Sequence, residues 1–150
     1  MKFKDLISEF TQKIGIGPTG LDEDGSIALL FDDSFEITFT PDEDDGSVLL
    51  HCEMGDAGTL DREACMKLFK ASLLGAETGG AAFGVHFVFD KLVLWKRHDD
   101  DFEDCAALEK AINAFISQII FWKDQLRTAT VDGNGVQEPG LPPDFLGMQV

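Results

Sequence analysis

The sequence predicts an α+β fold, one antiparallel sheet with covering helices, in the order α-β-β-β-α-β-β-α. Three observations carry this expectation. The run from Asp104 to Leu126 places Leu108, Ile112, Phe115, Ile119, Trp122 and Leu126 at alternating steps of four and three, one stripe of a long helix. Three short runs between Ser26 and Met54 alternate apolar and polar residues, the period of a half-buried strand. Short acidic or glycine turns separate these runs, so neighbours pair as an antiparallel meander.

At the N-terminus, Phe3, Leu6, Ile7, Phe10 and Ile14 follow helical spacing, and the glycines of the GIGPTG stretch at 15–20 stop that helix. The first strand, 26–31, puts Ile27, Leu29 and Phe31 on one face. The second, 35–40, points Phe35, Ile37 and Phe39 inward and Glu36, Thr38 and Thr40 outward. The third, 47–54, carries Val48, Leu50, Cys52 and Met54 on one side and Leu49, His51 and Glu53 on the other.

A second helix spans about 61–74. Beyond its first turn the polar residues are Lys67, Lys70 and Ser72, surrounded by Cys65, Met66, Leu68, Phe69, Ala71, Leu73 and Leu74. A surface helix needs an apolar stripe little wider than about 100°. This one needs a cover besides its own sheet, and another subunit is the simplest. Strands at 82–89 and 92–98 follow, joined by a tight Asp90-Lys91 turn, with Phe83, Val85, Phe87 and Phe89 sharing a face.

Asp101 or Asp104 caps the long helix, and Lys123 and Arg127 suit its negative end. Its stripe covers about three heptads without charged flanks, which favours a core helix over a coiled coil. Beyond Arg127 no periodicity persists. The expected organisation is one domain, 1–127, and a flexible Gly/Pro-rich tail, 128–150.

Composition narrows the function. Twelve Lys and Arg against 28 Asp and Glu give a net charge of −16. Nucleic acid and anionic membranes both demand clustered cations, so neither is expected as a partner. The N-terminus is not patterned as a signal peptide, no apolar run reaches membrane-spanning length, and the three cysteines show no CxxC spacing; a cytoplasmic protein with reduced thiols is expected.

No chemistry is expected either. His51 and Cys52 are strand neighbours and point to opposite faces; His86, His98, Cys65 and Cys105 lie on separate elements. GIGPTG follows a helix and GGAAFG precedes a strand, so neither is a phosphate-cradling loop. The acidic clusters 22–24, 42–45 and 99–104 lack calcium-loop register and read as solvated turns. The expectation is no catalytic residue, no metal and no cofactor.

The order of elements, the acidity, the stretch SIALLFDDSFEITF at 26–39 and the link LLGAETGGAAFGV at 73–85 resemble class I type III secretion chaperones, the Tir-chaperone-like proteins. The resemblance covers about 3–126 and leaves the tail outside. It implies a small acidic homodimer, without ATPase activity, that wraps the N-terminal segment of a secreted effector in extended form and keeps it soluble and export-competent. It places the dimer interface on the second helix and the following strand, here Cys65, Leu68, Phe69, Leu73, Val85 and Phe87. It places effector binding on Phe3, Leu6, Ile7 and Phe10 with Ile27, Leu29, Phe31, Phe35 and Ile37, helped by strand addition at a sheet edge. For these nine residues a purely core role is the competing reading. For the whole chain it is a small acidic regulatory protein of the same fold, acting on a folded partner without a secretion role.

Overall fold

In the computed structural model, residues 3–15, 23, 25–99 and 102–133 are described, 129–133 by backbone alone. The elements are α1 (Phe3–Lys13), β1 (Ile27–Phe31), β2 (Phe35–Pro41), β3 (Val48–Asp56), α2 (Arg62–Ser72), β4 (Ala82–Val85), β5 (Lys91–His98) and α3 (Cys105–Gly133). Short 3-10 turns occupy Ala57–Thr59 and Leu73–Gly75. The strands make one five-stranded sheet in the order β1-β2-β3-β5-β4. Ile27 lies opposite Phe39, and Ile37 opposite both Leu29 and Cys52, so the inward residues of three strands share one face. Asp32 and Asp33 both turn at φ +52°, a conformation that short polar side chains tolerate.

The chain falls into two units: residues 3–53 with 95–116, and residues 54–94 with 117–133. In the first, Leu6, Ile7 and Phe10 of α1 and Leu108, Ile112 and Phe115 of α3 are buried, as are Ile27, Leu29, Phe35, Ile37, Phe39, Val48, Leu50 and Cys52 of the strands. Each such side chain contributes about 1.5–3 kcal/mol of hydrophobic stabilisation. Arg97 at the end of β5 reaches Asp45 at 2.7 Å, Asp99 at 3.3 Å and Asp42 at 3.8 Å, tying the β2–β3 turn to that strand. Exposed pairs of this kind add little individually, so their role is to fix the turn. His98 packs its ring on Phe102 (5.2 Å between centroids), and burial holds its imidazole below the usual histidine value.

In the second unit Met54, Leu68, Ala71, Ala81, Leu92, Leu94, Ile119 and Trp122 are buried. Phe83 meets Trp122 edge-to-face at 5.3 Å, and the Trp122 indole donates to Gln118 Oε1 at 3.2 Å. Asp61 caps α2 by accepting from the Ala64 amide at 2.7 Å. At its other end Ser72 Oγ donates to the Leu68 carbonyl and accepts from the Phe83 amide, stitching α2 to β4. The link between them is also closed on itself. Gly80 N–H donates to the Gly75 carbonyl at 3.0 Å, and a Cβ on Gly75 (φ +66°) would lie 2.5 Å from Gly80 Cα.

Two expectations are revised, and one left open between two residues is narrowed. The strand expected at 82–89 stops at Val85. The His86 amide donates to the Lys91 carbonyl, the Asp90 amide to the His86 carbonyl, and His86 Nδ1 accepts from the Val88 amide at 3.1 Å. These bonds curl Phe87, Val88 and Phe89 into a turn, which a two-residue alternation cannot reveal. Second, of the two caps expected for α3, Asp104 serves: its Oδ1 accepts from the Ala107 amide at 2.9 Å. Third, α3 runs past Arg127 to Gly133. Most of the GIGPTG stop, Asp22, Asp24, Asp100, Asp101 and the tail from 134 onward lie outside the described residues.

Candidate functional site: an outer sheet face and an apolar α2–β4 face

Of the nine residues expected to bind a partner, the structure puts Leu6, Ile7, Phe10, Ile27, Leu29, Phe35 and Ile37 in the core. The physical reason is direct. The regular apolar face of an amphipathic helix or strand is the face that folding removes from water first. Phe3 and Phe31 stay half-buried at its rim, Phe31 stacked on Phe35 at 6.1 Å and Phe3 beside Phe39 at 6.2 Å.

The opposite side of the sheet is the less buried one among the described residues. It carries Ala28, Glu36, Thr38, Leu49 and His51, together with two large apolar residues, Leu30 (53% exposed) and Trp95 (40%). β1 ends the strand order, so its outer backbone edge is positioned to accept an added strand. The sequence did hold a signal for these residues: Leu30, Leu49 and Trp95 are apolar at positions where the alternation demands a polar residue.

The second surface belongs to α2, the turn after it and the β4–β5 hairpin. Met66, Phe69, Leu73 and Leu74 are exposed there, as are Val85, Phe87, Val88 and Phe89. Leu74 is 94% exposed at φ +56°, a left-handed backbone that throws its side chain outward. His86 stacks on Phe87 and packs tilted against Phe89, with ring centroids 5.0 Å apart in each pair, and so shapes the tip. Of the six residues expected at a dimer interface, Phe69, Leu73, Val85 and Phe87 lie on this surface and Cys65 is half-buried. Leu68 is core instead, because it shares the inward stripe of α2 with Ala71. Lys67 is also buried, with Glu63 at 3.8 Å. An exposed apolar surface of this kind marks an interaction site on a chain otherwise covered in acid.

Among the described residues no group of three or more His, Cys, Asp or Glu is placed to hold a metal ion. No helix among them is long and apolar enough to cross a membrane. The Cys105 thiol is pushed above its ordinary value by burial first and by the neighbouring Glu9 second, which disfavours the nucleophilic thiolate.

One antiparallel sheet with three helices, and an apolar surface on α2 and the β4–β5 hairpin, is the architecture of a protein-binding module of the secretion-chaperone type. The sequence profile of the Tir chaperone protein (CesT) family matches residues 5–123, and the chain belongs to that family. It is a type III secretion chaperone, not an enzyme, and membership of that class places it in the cytoplasm.

Among solved structures, a chain of the ExsC-ExsE complex is similar with a TM-score of 0.72 at 20% identity, over 83% of this chain and 96% of that one. A chain of the HopA1-SchA chaperone-effector complex gives 0.67 at 16% identity, over 81% and 93%. A third match is the Yersinia pestis type III secretion chaperone SycH in complex with a stable fragment of YscM2, at 0.62 and 14% identity, over 80% and 98%. At these identities the likeness is one of fold. No curated protein matches the chain in sequence.

Proposed function

We propose that this chaperone works as a homodimer that holds the N-terminal chaperone-binding segment of a secreted effector in extended form. The observation that carries the reading is the coexistence of two surfaces with different chemistry. The α2–β4 surface is dense in large apolar groups, which suits a permanent, self-complementary contact between two copies. The outer sheet face is sparser, with Leu30 and Trp95 set among Thr38, His51 and Glu36 and bordered by the β1 edge. That composition suits an extended chain, whose backbone pairs with the edge while a few side chains find apolar footholds. Phe3 and Phe31 extend the footholds at the rim. Ordering an extended segment costs about 2–5 kcal/mol, which the apolar contacts must offset. Two of the matched structures are a chaperone-effector complex and a chaperone with a fragment of another protein, which supports the reading.

The test is copurification of tagged chaperone with bound proteins from its own cells, followed by limited proteolysis of the complex. The expected result is one or a few proteins protected only over a stretch near their N-terminus. A partner that stays folded and uniformly resistant would instead identify a regulatory module acting on a folded protein.

A further inference from the structure

Three residues of the first unit stand in one row on the less buried side of the sheet. Leu30 of β1 lies opposite Glu36 of β2. Ile37 lies opposite Cys52, and the same register puts Glu36 across from Glu53 of β3. All three are exposed among the described residues. Two carboxylates set directly opposite each other on neighbouring strands repel, and such a pair weakens a sheet. Elsewhere in this unit acids are answered: Arg97 serves Asp42, Asp45 and Asp99, and Lys13 meets Glu109. Neither Glu36 nor Glu53 has an ion-pair partner among the described residues. The repulsion is a standing cost to the free chain, and a cation brought from outside relieves it.

We infer that the extended segment held at this face carries a lysine or arginine at the position paired with Leu30, its stem over Leu30 and its charged head at Glu36 and Glu53. The inference rests on the chaperone reading above and names the chemistry of its client. Geometry selects the long cations. β1 ends the strand order, so an added strand lies about 4.8 Å outside it and roughly 10 Å from β2. A short polar residue does not close that distance. The flexible stem of lysine or arginine lies along apolar surface and delivers its charge at the far end. Leu30, 53% exposed, supplies that surface. Arginine has the further fit of a planar fork that can serve two carboxylates. An acidic residue at the same position would set a third negative charge beside the pair, so the row also rejects segments of the wrong sign.

The test uses the full-length chain and the stretch protected in the copurified complex, made as a synthetic peptide. A second peptide has every Lys and Arg of that stretch replaced by Gln. By titration calorimetry the Gln peptide is expected to bind wild type about tenfold more weakly. On Glu36→Gln/Glu53→Gln the two peptides are expected to bind within about twofold of each other. Glu43→Gln/Asp44→Gln, which removes the same charge from the β2–β3 turn, is expected to keep the wild-type preference. Without peptide, Glu36→Gln/Glu53→Gln is expected to melt about 1–2 °C above wild type, since the repulsion is gone. A lower melting temperature would overturn the inference. So would a preference lost equally in both double variants, because the net charge of −16 and no particular pair would then attract the peptide. A protected stretch without Lys or Arg would overturn it while leaving the chaperone reading intact. A partner with no protected stretch would remove both.

Discussion

The two units handle similar apolar content in opposite ways. In residues 3–53 with 95–116, only Ile14, Leu30 and Trp95 are large apolar side chains left exposed among the described residues. In residues 54–94 with 117–133, Met66, Phe69, Leu73, Leu74, Val85, Phe87, Val88, Phe89, Ile120 and Phe121 all face outward. The first unit therefore encloses nearly all of its large apolar side chains. The second encloses Leu68, Leu94, Ile119 and Trp122 and still leaves a broad apolar surface outside.

The sharpest break of that contrast is a pair of matched truncations. Phe39→Ala, in the finished core, is expected to cost about 3–5 kcal/mol in urea unfolding. Phe87→Ala, 91% exposed, is expected to change the stability of the isolated subunit by no more than about 0.5 kcal/mol. Equal losses would erase the distinction between the units. Next in size, Phe69→Asp is expected to weaken self-association by about 2–4 kcal/mol, read by sedimentation across a dilution series, with an unchanged circular dichroism spectrum.

A smaller effect separates the two faces of β1. Leu30→Asp is expected to reduce capture of the effector segment by about tenfold, a loss of about 1.4 kcal/mol, without disturbing the fold. Leu29→Asp, its buried neighbour, is expected to unfold the first unit outright. Wild-type capture by Leu30→Asp would remove the outer sheet face from the binding site.

The smallest effect is a pH dependence confined to the first unit. Burial lowers the His98 pKa from 6.5, so the unfolded chain binds this proton more readily than the folded one. His98 thus leaves stability untouched well above pH 6.5 and subtracts from it as pH falls below that value. Melting temperatures measured from pH 7.5 to 5 are expected to fall less steeply in His98→Gln than in the wild type. Identical slopes would show that His98 titrates normally.

Much of this fold was legible in the sequence because its second strand and its long helix obey simple periods. Phe35, Ile37 and Phe39 alternate, and Leu108, Ile112, Phe115, Ile119 and Trp122 keep one helical stripe; all eight are buried. The second helix was also legible as more apolar than its own sheet could cover, and Phe69 and Leu73 are exposed. What periodicity could not do was show which apolar residues stay exposed. Leu6, Ile7 and Ile37 fit the pattern perfectly and are therefore interior, while Leu30 and Trp95 break it and face outward. The turn at Phe87–Phe89 escaped for another reason. Its shape depends on the Asp90 backbone at φ +52° and on His86 side-chain bonding, neither of which leaves a periodic trace.

The self-closed link between α2 and β4 has a kinetic consequence. Because Gly75 and Gly80 touch backbone to backbone, and Ser72 bonds both elements, the helix and the strand carrying the apolar surface have little loop freedom to lose. Under the proposed homodimer, two copies meet with that surface already formed. Association of bodies of charge −16 is expected to be slowed by their mutual repulsion, so added salt is expected to raise the rate read by rapid mixing.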